Sequence, residues 1–361
     1  MNENNAFSVH HLYFEVETST PLALPPPAGP KLRAALYQAL GLVCPLRANA
    51  NAPPEHKAAC PVCWLLATEK PGDKGGKDLP RPLTIEPPLE LKRGNMRPGE
   101  RFGFGLSLFA QAANLFPYLA LGVPEMGRRG LGRRLPELKG ERGKFSLRRA
   151  EALNPLSQER QLLLDTDRGP LFQTPSIPVT GVQVGEWAKE RPWSPEQSKR
   201  GMGERARERP WSPEQSERGM GESAREREVR VEFLTATRIV ARGKLVHEPL
   251  FAPLFARLFD RLKALSTHYA DGSLAPGEAK PGLMALADQV RLVRGPRAWD
   301  DSRSYSRRLR RSTPMGGFVG PATYHAPPDV WRPLLPYLLW GQSVHVGKNA
   351  TKGNGWYRVS E

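Results

Sequence analysis

Three cysteines, Cys44, Cys60 and Cys63, stand close together, and the last two form Cys-Pro-Val-Cys. With His56 between them they offer four soft ligands, a set that suits structural zinc, which thiolate and imidazole bind as a tetrahedron. Free buried thiols are the alternative. An odd number of clustered cysteines argues against disulfides and for a reducing, cytoplasmic setting. A second group of residues suits phosphate. Arg303, Arg307, Arg308, Arg310 and Arg311 fall close together with Trp299 and Tyr305 interleaved, and Arg128, Arg129, Arg133 and Arg134 open a basic run that extends to Arg149. Guanidinium groups pair with phosphate oxygens, and aromatic rings stack on unpaired bases.

A third stretch, HVGKNATKGNGWYRV (345–359), combines His345, Lys348 and Lys352 with Gly347, Gly353 and Gly355. It is not a nucleotide loop. A Walker-type loop puts serine or threonine after Gly-Lys and opens a helix, whereas Gly347-Lys348 precedes Asn349 and only 13 residues follow Lys348. Its glycines lack the dinucleotide spacing as well. What remains is a pliable basic segment able to approach a nucleic-acid backbone, or a turn that only joins strands. Cutting RNA without metal needs a base for the 2′-hydroxyl, an acid for the leaving 5′-oxygen and cations for the phosphorane. Histidine, tyrosine and lysine can fill these roles. The seven histidines (His10, His11, His56, His247, His268, His325, His345) have no spacing that singles one out.

The elements that must position these groups are legible in outline. AFSVHHLYFEVE (6–17) reads as a strand, and KLRAALYQALGLV (31–43) as an amphipathic helix with Pro30 at its start. PLTIEPPLEL (82–91) reads as a strand interrupted by prolines, Phe102 to Leu108 alternate as a strand, and residues 109–121 turn helical. Two short strands are expected in 229–246, a strong amphipathic helix in 249–269, a strand at QVRLV and a short apolar helix at PLLPYLLW. The order strand, helix, strand, strand, helix, strand fits the second half and, more loosely, the first. The fold class is therefore α+β, two tandem ferredoxin-like domains over residues 1–185 and 229–361. Between them, 186–228 holds an 18-residue unit, ERPWSPEQSKRGMGERAR (190–207), repeated with two changes at 208–225. Two polar units cannot bury a core, so a flexible, disordered insertion is expected.

Charge narrows the partners. The 361 residues carry a formal +16, which points to a polyanion, most often nucleic acid. There is no 18-residue apolar run to cross a membrane, and the start, MNENNAFSVHH, has no basic-then-apolar signal pattern.

Taken in order, several motifs resemble one family. GPKLRAALYQALGLVC is similar to its early Gly-x-x-Leu-Arg-x-Ala-Leu helix, and the CPVC that follows to a common cysteine pair. PGERFGFGLSLFAQAANLFPYL, MGRRGLGRR and GKFSL are similar to its central run, and VRVEFLTATRIVARGKL to its Phe-x-Thr-Pro-x-Arg segment, with Ala236 at the usual proline. SYSRRLRRSTPMGGFVGPATY and the closing glycine-rich loop, with Asn354 at a usually apolar place, complete the series. The chain thereby resembles the CRISPR-associated endoribonucleases of the RAMP superfamily, which cut precursor CRISPR RNA within its repeats. The resemblance implies two ferredoxin-like (RRM-like) RAMP domains, CRISPR repeat RNA and other CRISPR effector subunits as partners, and metal-independent hydrolase chemistry that leaves a 2′,3′-cyclic phosphate. It also implies either a catalytic histidine on or just after the first helix, as in many members, or, as in relatives that work without one, Tyr37 with basic residues alone. Tyr37, His56 and Lys57 fit that position, with His345 in reserve, although His56 cannot both ligate zinc and act as a base. A non-catalytic RNA-binding subunit of a CRISPR effector is the alternative role, and a zinc-stabilised nucleic-acid-binding protein outside CRISPR is a third.

Overall fold

The computed structural model describes residues 6–46, 52–66, 80–91, 94–169, 172–190, 226–306 and 311–360. In the first half, β1 (Ser8–Thr18) leads through a proline-rich turn to α1 (Gly29–Leu40), and two short helices follow, α2 (Pro54–Ala59) and α3 (Pro61–Leu66). Then come β2 (Leu83–Glu86), β3 (Arg101–Phe109), α4 (Phe116–Arg129), a hairpin of β4 (Leu131–Leu135) and β5 (Glu141–Gly143), β6 (Phe145–Leu153) and β7 (Arg160–Asp165). The sheet order is β2-β3-β1-β6-β7, antiparallel throughout. Without its last strand this is the ferredoxin-like order.

α5 (Gly181–Glu190) precedes the second half, which begins with β8 (Arg227–Thr237). The ends of the stretch expected as an insertion are thus helix and strand. The tandem repeat itself lies outside the described residues. After β8 come α6 (Phe251–Tyr269), β9 (Arg291–Arg294), a hairpin of β10 (Arg303–Ser306) and β11 (Arg311–Pro314), β12 (Gly317–Ala326), α7 (Pro328–Val344) and β13 (Tyr357–Ser360). The order β9-β12-β8-β13 repeats the ferredoxin-like plan. The short apolar helix expected around PLLPYLLW grows to α7 despite Pro333 and Pro336 inside it. Each interior proline costs about 3 kcal/mol. Val330, Trp331, Leu334, Leu335, Leu338 and Leu339 are all buried there, at roughly 1.5–3 kcal/mol per large side chain, and that burial outweighs the loss.

Strand periodicity explains how the halves join. Along β1, Leu12, Phe14 and Val16 point to the face covered by α1 and α4 and enter the first core. Phe7, Val9 and His11 occupy the opposite face, where solvent would be expected. Phe7 and Val9 instead join the second core, and the Phe7 ring meets Trp340 of α7 edge-on at 5.3 Å. The second domain therefore roofs one end of the first sheet.

Candidate nucleic-acid interface

Helix α1 begins as Gly-Pro-Lys-Leu-Arg, so its basic residues fall in the first turn and its apolar stripe (Leu32, Ala35, Leu36, Ala39, Leu40) is buried. Arg33 and Tyr37 are one turn apart on the open side. The Arg33 guanidinium lies 4.5 Å from the Tyr37 ring centroid, and its Nη2 donates to the Tyr37 hydroxyl at 2.9 Å. That hydroxyl in turn donates to the carbonyl of Leu66, the last residue of α3. The glycine-rich loop comes up against this helix. Gly29 leaves no room for a Cβ beside the Lys352 carbonyl. Burial, and next the charge of Arg33, hold the Lys352 ammonium below the ordinary lysine value. Burial and then Arg133, on the β4–β5 hairpin, lower Lys31 in the same way. Cations from α1, the hairpin and the closing loop, far apart in sequence, thus share one region.

Pairing separates these cations from part of the basic surface. Arg128 and Arg129 pair with Glu125 at 2.6 and 3.8 Å, Arg101 with Glu15 and Glu17, and Arg148 with Glu17 and Asp167. Among the described residues no carboxylate pairs with Lys31, Arg33, Arg133 or Lys352. Lys31 donates instead to the carbonyls of Pro25 and Pro27, which fixes the turn before α1, and Arg134 donates to the carbonyl of Gly140. The sequence missed Lys31 and Arg33. The available signal was the spacing of Arg33 and Tyr37, which puts them on one helix face.

The glycine-rich loop needs correction as a phosphate-binding backbone. The amides of Lys348, Lys352, Gly353 and Gly355 donate to the carbonyls of Arg238, Asn349, Ala350 and Ala236. Gly353 and Gly355 are buried at positive φ, where the loop packs on Ile85, Pro87 and Val346. They pack closely, which leaves exposed Lys348 and half-buried Lys352 as the loop's cationic side chains at the surface. Gly347 abuts the Arg238 carbonyl. His345 needs the same correction. It is fully buried, its ring stacked on Trp356 at 5.9 Å, and it cannot reach RNA. The loop does support the arginine hairpin: Asn354 Nδ2 donates to the Met315 carbonyl at 2.6 Å, and Arg238 Nη1 to the Gly316 carbonyl at 3.1 Å, just beyond β11. Arg303 is exposed, with its Nε donating to Ser312. Arg311 opens β11, while Arg307, Arg308 and Arg310 lie outside the described residues.

The cysteines converge. Cys44, just past α1, stands 3.2 Å from His56 Nε2 and 3.5 Å from the Cys63 sulfur, and the ligand atoms of Cys44, His56, Cys60 and Cys63 all lie within 4.8 Å of one another. Burial, with the other thiols adding to it, pushes Cys63 up to about 12. Lys57 sits half-buried on α2 beside this cluster. The structure therefore separates the three residues named after the first helix: Tyr37 belongs to the basic face, and His56 to the cysteines.

Residues 231–357 match the family model of the CRISPR-associated endoribonuclease Cas6. That part of the chain is Cas6-like. Residues 7–175 match a second model, described as an N-terminal domain. No curated protein matches the sequence. Among solved structures, this chain is similar over 98% of its length to 99% of Thermus thermophilus Cas6, with a TM-score of 0.51 at 13% identity. A Cas6 product complex gives the same coverage and identity with a TM-score of 0.53. A partial complex of Cas6, RT, Cas1 and Cas2 is similar over 99% of this chain and 46% of that one, with a TM-score of 0.52 at 13% identity. At such identities the likeness is one of fold. Among the described residues no helix is long and apolar enough to cross a membrane.

Between the two domains, the chain buries a polar network that the sequence did not announce. His11 Nδ1 contacts Glu86 Oε1 at 2.7 Å, Ser107 Oγ donates to the same oxygen at 2.5 Å, and His11 Nε2 meets Ser343 Oγ of α7 at 2.8 Å. His345 borders it. Burial foremost, then Arg261 and His11, hold His345 down at about 3 against the opposing pull of Glu86, and burial followed by His11 holds His10 at about 4. Both histidines are depressed in the folded state, so the unfolded chain takes up more protons as pH falls through about 6.5. Their contribution is fully present above that pH and is lost toward pH 4 and 3, at about 1.4 kcal/mol per pH unit for each. Thermal unfolding between pH 7.5 and 4.5 should show this slope, and His345→Asn, which removes one titration and tolerates positive φ, should flatten it. Identical slopes would refute the assignment.

Proposed function

We propose that this chain binds the repeats of precursor CRISPR RNA across the α1 face and cuts them by attack of a 2′-hydroxyl on the adjacent phosphodiester. The products would be a 2′,3′-cyclic phosphate upstream and a 5′-hydroxyl downstream, with no metal in the chemistry. The observation that carries this reading is the group of carboxylate-free cations around Tyr37, contributed by both domains. Like charges crowded without counter-ions are relieved by a phosphate. Arg33 and Lys352 would stabilise the phosphorane, and Tyr37, already donating through its hydroxyl, would orient the reacting ribose-phosphate. Arg133, Arg134, Lys348 and the β10–β11 hairpin would hold the flanking RNA, and other CRISPR proteins would receive the product. His56 Nε2 lies 3.2 Å from the Cys44 sulfur, and with that nitrogen given over to a metal held by the cysteines, His56 would not be the base in this scheme.

Incubation of labelled repeat RNA in buffer without divalent cations should give a single cut whose upstream end is a cyclic phosphate. The double variant Arg133→Glu/Arg134→Glu should weaken binding and reduce the slope of log affinity on log salt by about 1–2. Cleavage that requires added magnesium, or a salt slope left unchanged, would sink the scheme. Binding without cleavage, the role of an effector subunit, has one observation on its side: His56 is engaged by Cys44 and His345 is buried, so neither stands as an open base. Tight repeat binding with intact RNA would decide for it.

A further inference from the structure

We propose that Cys44, His56, Cys60 and Cys63 hold one structural zinc ion that fastens α3 to the end of α1. Helical spacing prepares three of the four ligands: His56 and Cys60 are one turn apart at the end of α2, and Cys60 and Cys63 are separated by the turn that starts α3. Pro54 and Pro61 each begin a helix, which sets that register. Cys44 comes from outside this unit and closes the set. In tetrahedral zinc with Zn–S of about 2.3 Å, neighbouring sulfurs lie about 3.8 Å apart. The 3.5 Å between Cys44 and Cys63, the 3.2 Å from Cys44 to His56 Nε2 and the 4.8 Å limit on all pairs are within small adjustments of that figure. Three thiols and an imidazole favour zinc over the hard cations, which prefer oxygen. On binding, three thiols release three protons, and the site becomes a zinc bound by three thiolates and one neutral imidazole.

The position of the site gives it consequences. Leu66, one turn beyond Cys63, accepts the Tyr37 hydroxyl, and Trp64, next to Cys63, meets Tyr269 of α6 edge-on at 5.6 Å. The ion would therefore fix α3 against both domains and position Tyr37 from behind. This assignment does not depend on the RNA reading, and its test needs no RNA.

Full-length protein, expressed in zinc-supplemented cells and desalted without chelator, should carry about one zinc ion per chain. A mercurial that titrates the three thiols should release that zinc. Cobalt added to metal-free protein should give the thiolate charge-transfer band and intense visible bands of a tetrahedral thiolate site. Cys63→Ser should bring metal content close to zero. Should that variant fold poorly, His56→Cys provides the second measurement: it keeps four ligands, retains the metal and strengthens the charge-transfer band. Thiols that titrate without metal release, or a pale octahedral cobalt spectrum, would overturn the proposal.

Discussion

Arg33→Ala should slow single-turnover cleavage of repeat RNA by roughly 10²–10³-fold, the usual cost of removing one preorganised donor at a developing charge. The fold should barely notice. Arg33 is half-exposed, pairs with no carboxylate among the described residues, and touches Tyr37 through one stacking contact and one hydrogen bond, so stability should shift by at most about 1 kcal/mol. Affinity should fall far less than rate, because Lys31, Lys352, Arg133 and Arg134 remain to neutralise phosphate. Arg33→Lys keeps the charge but loses the planar fork and the stacking, and it should recover part of the rate. Measuring the rate at saturating protein and the dissociation constant separately distinguishes transition-state stabilisation from simple attraction. A wild-type rate in Arg33→Ala would remove the α1 face from the chemistry. An affinity loss with the saturating rate unchanged would make Arg33 a binding residue only.

The sequence disclosed most of the fold because local periodicity carries it. Phe102 to Leu108 alternate and form β3, and Phe251, Leu254, Phe255, Leu258 and Leu262 form the buried stripe of α6. Twice, that order of elements gives the ferredoxin-like sheet. The site was only partly legible. Arginine runs announced themselves by composition, yet Arg128 and Arg129 are paired with Glu125, and the cations that gather beside α1 come from three segments that only the fold unites. The glycine-rich loop advertised itself as a backbone for phosphate, but its amides are consumed inside the protein, and no one-dimensional signal reports where an amide donates. His56 was visible twice, as a ligand and as a base. Its distance to Cys44 supplies what the sequence lacked. The His11, Glu86 and Ser343 network joins positions hundreds of residues apart. Its only trace was a polar residue in each of two apolar strands, His11 among alternating hydrophobics and Glu86 at the end of Leu-Thr-Ile-Glu.

That network carries the second large effect: Glu86→Ala should destabilise the protein by about 3–5 kcal/mol, the cost of leaving buried polar partners without their counterpart. Glu86 is buried, and burial alone would raise its pKa. His11 and Ser107 more than compensate and hold the carboxyl below its ordinary value. Gly105 in β3 leaves the space that the carboxylate occupies, since a Cβ there would meet Oε2. Alanine at position 86 removes the acceptor shared by His11 and Ser107 and opens a void between the first sheet and α7. Glu86→Gln keeps the shape and one acceptor oxygen and should cost less, about 1–2 kcal/mol. The charge also has a pH signature. A carboxyl with a depressed folded pKa contributes stability above its unfolded value of about 4.5 and loses it as pH falls through the folded value. The glutamine variant should therefore lose stability less steeply than wild type below pH 4.5. Ser343→Ala reports the same link from the second domain, since it leaves His11 Nε2 without its hydrogen-bond partner across the seam. A double-mutant cycle between Glu86→Gln and Ser343→Ala, read by denaturant unfolding, should give a coupling above about 0.5 kcal/mol. Strict additivity would mean that the domains dock through their apolar contacts, Phe7 on Trp340 foremost, and that the polar network merely fills the space between them.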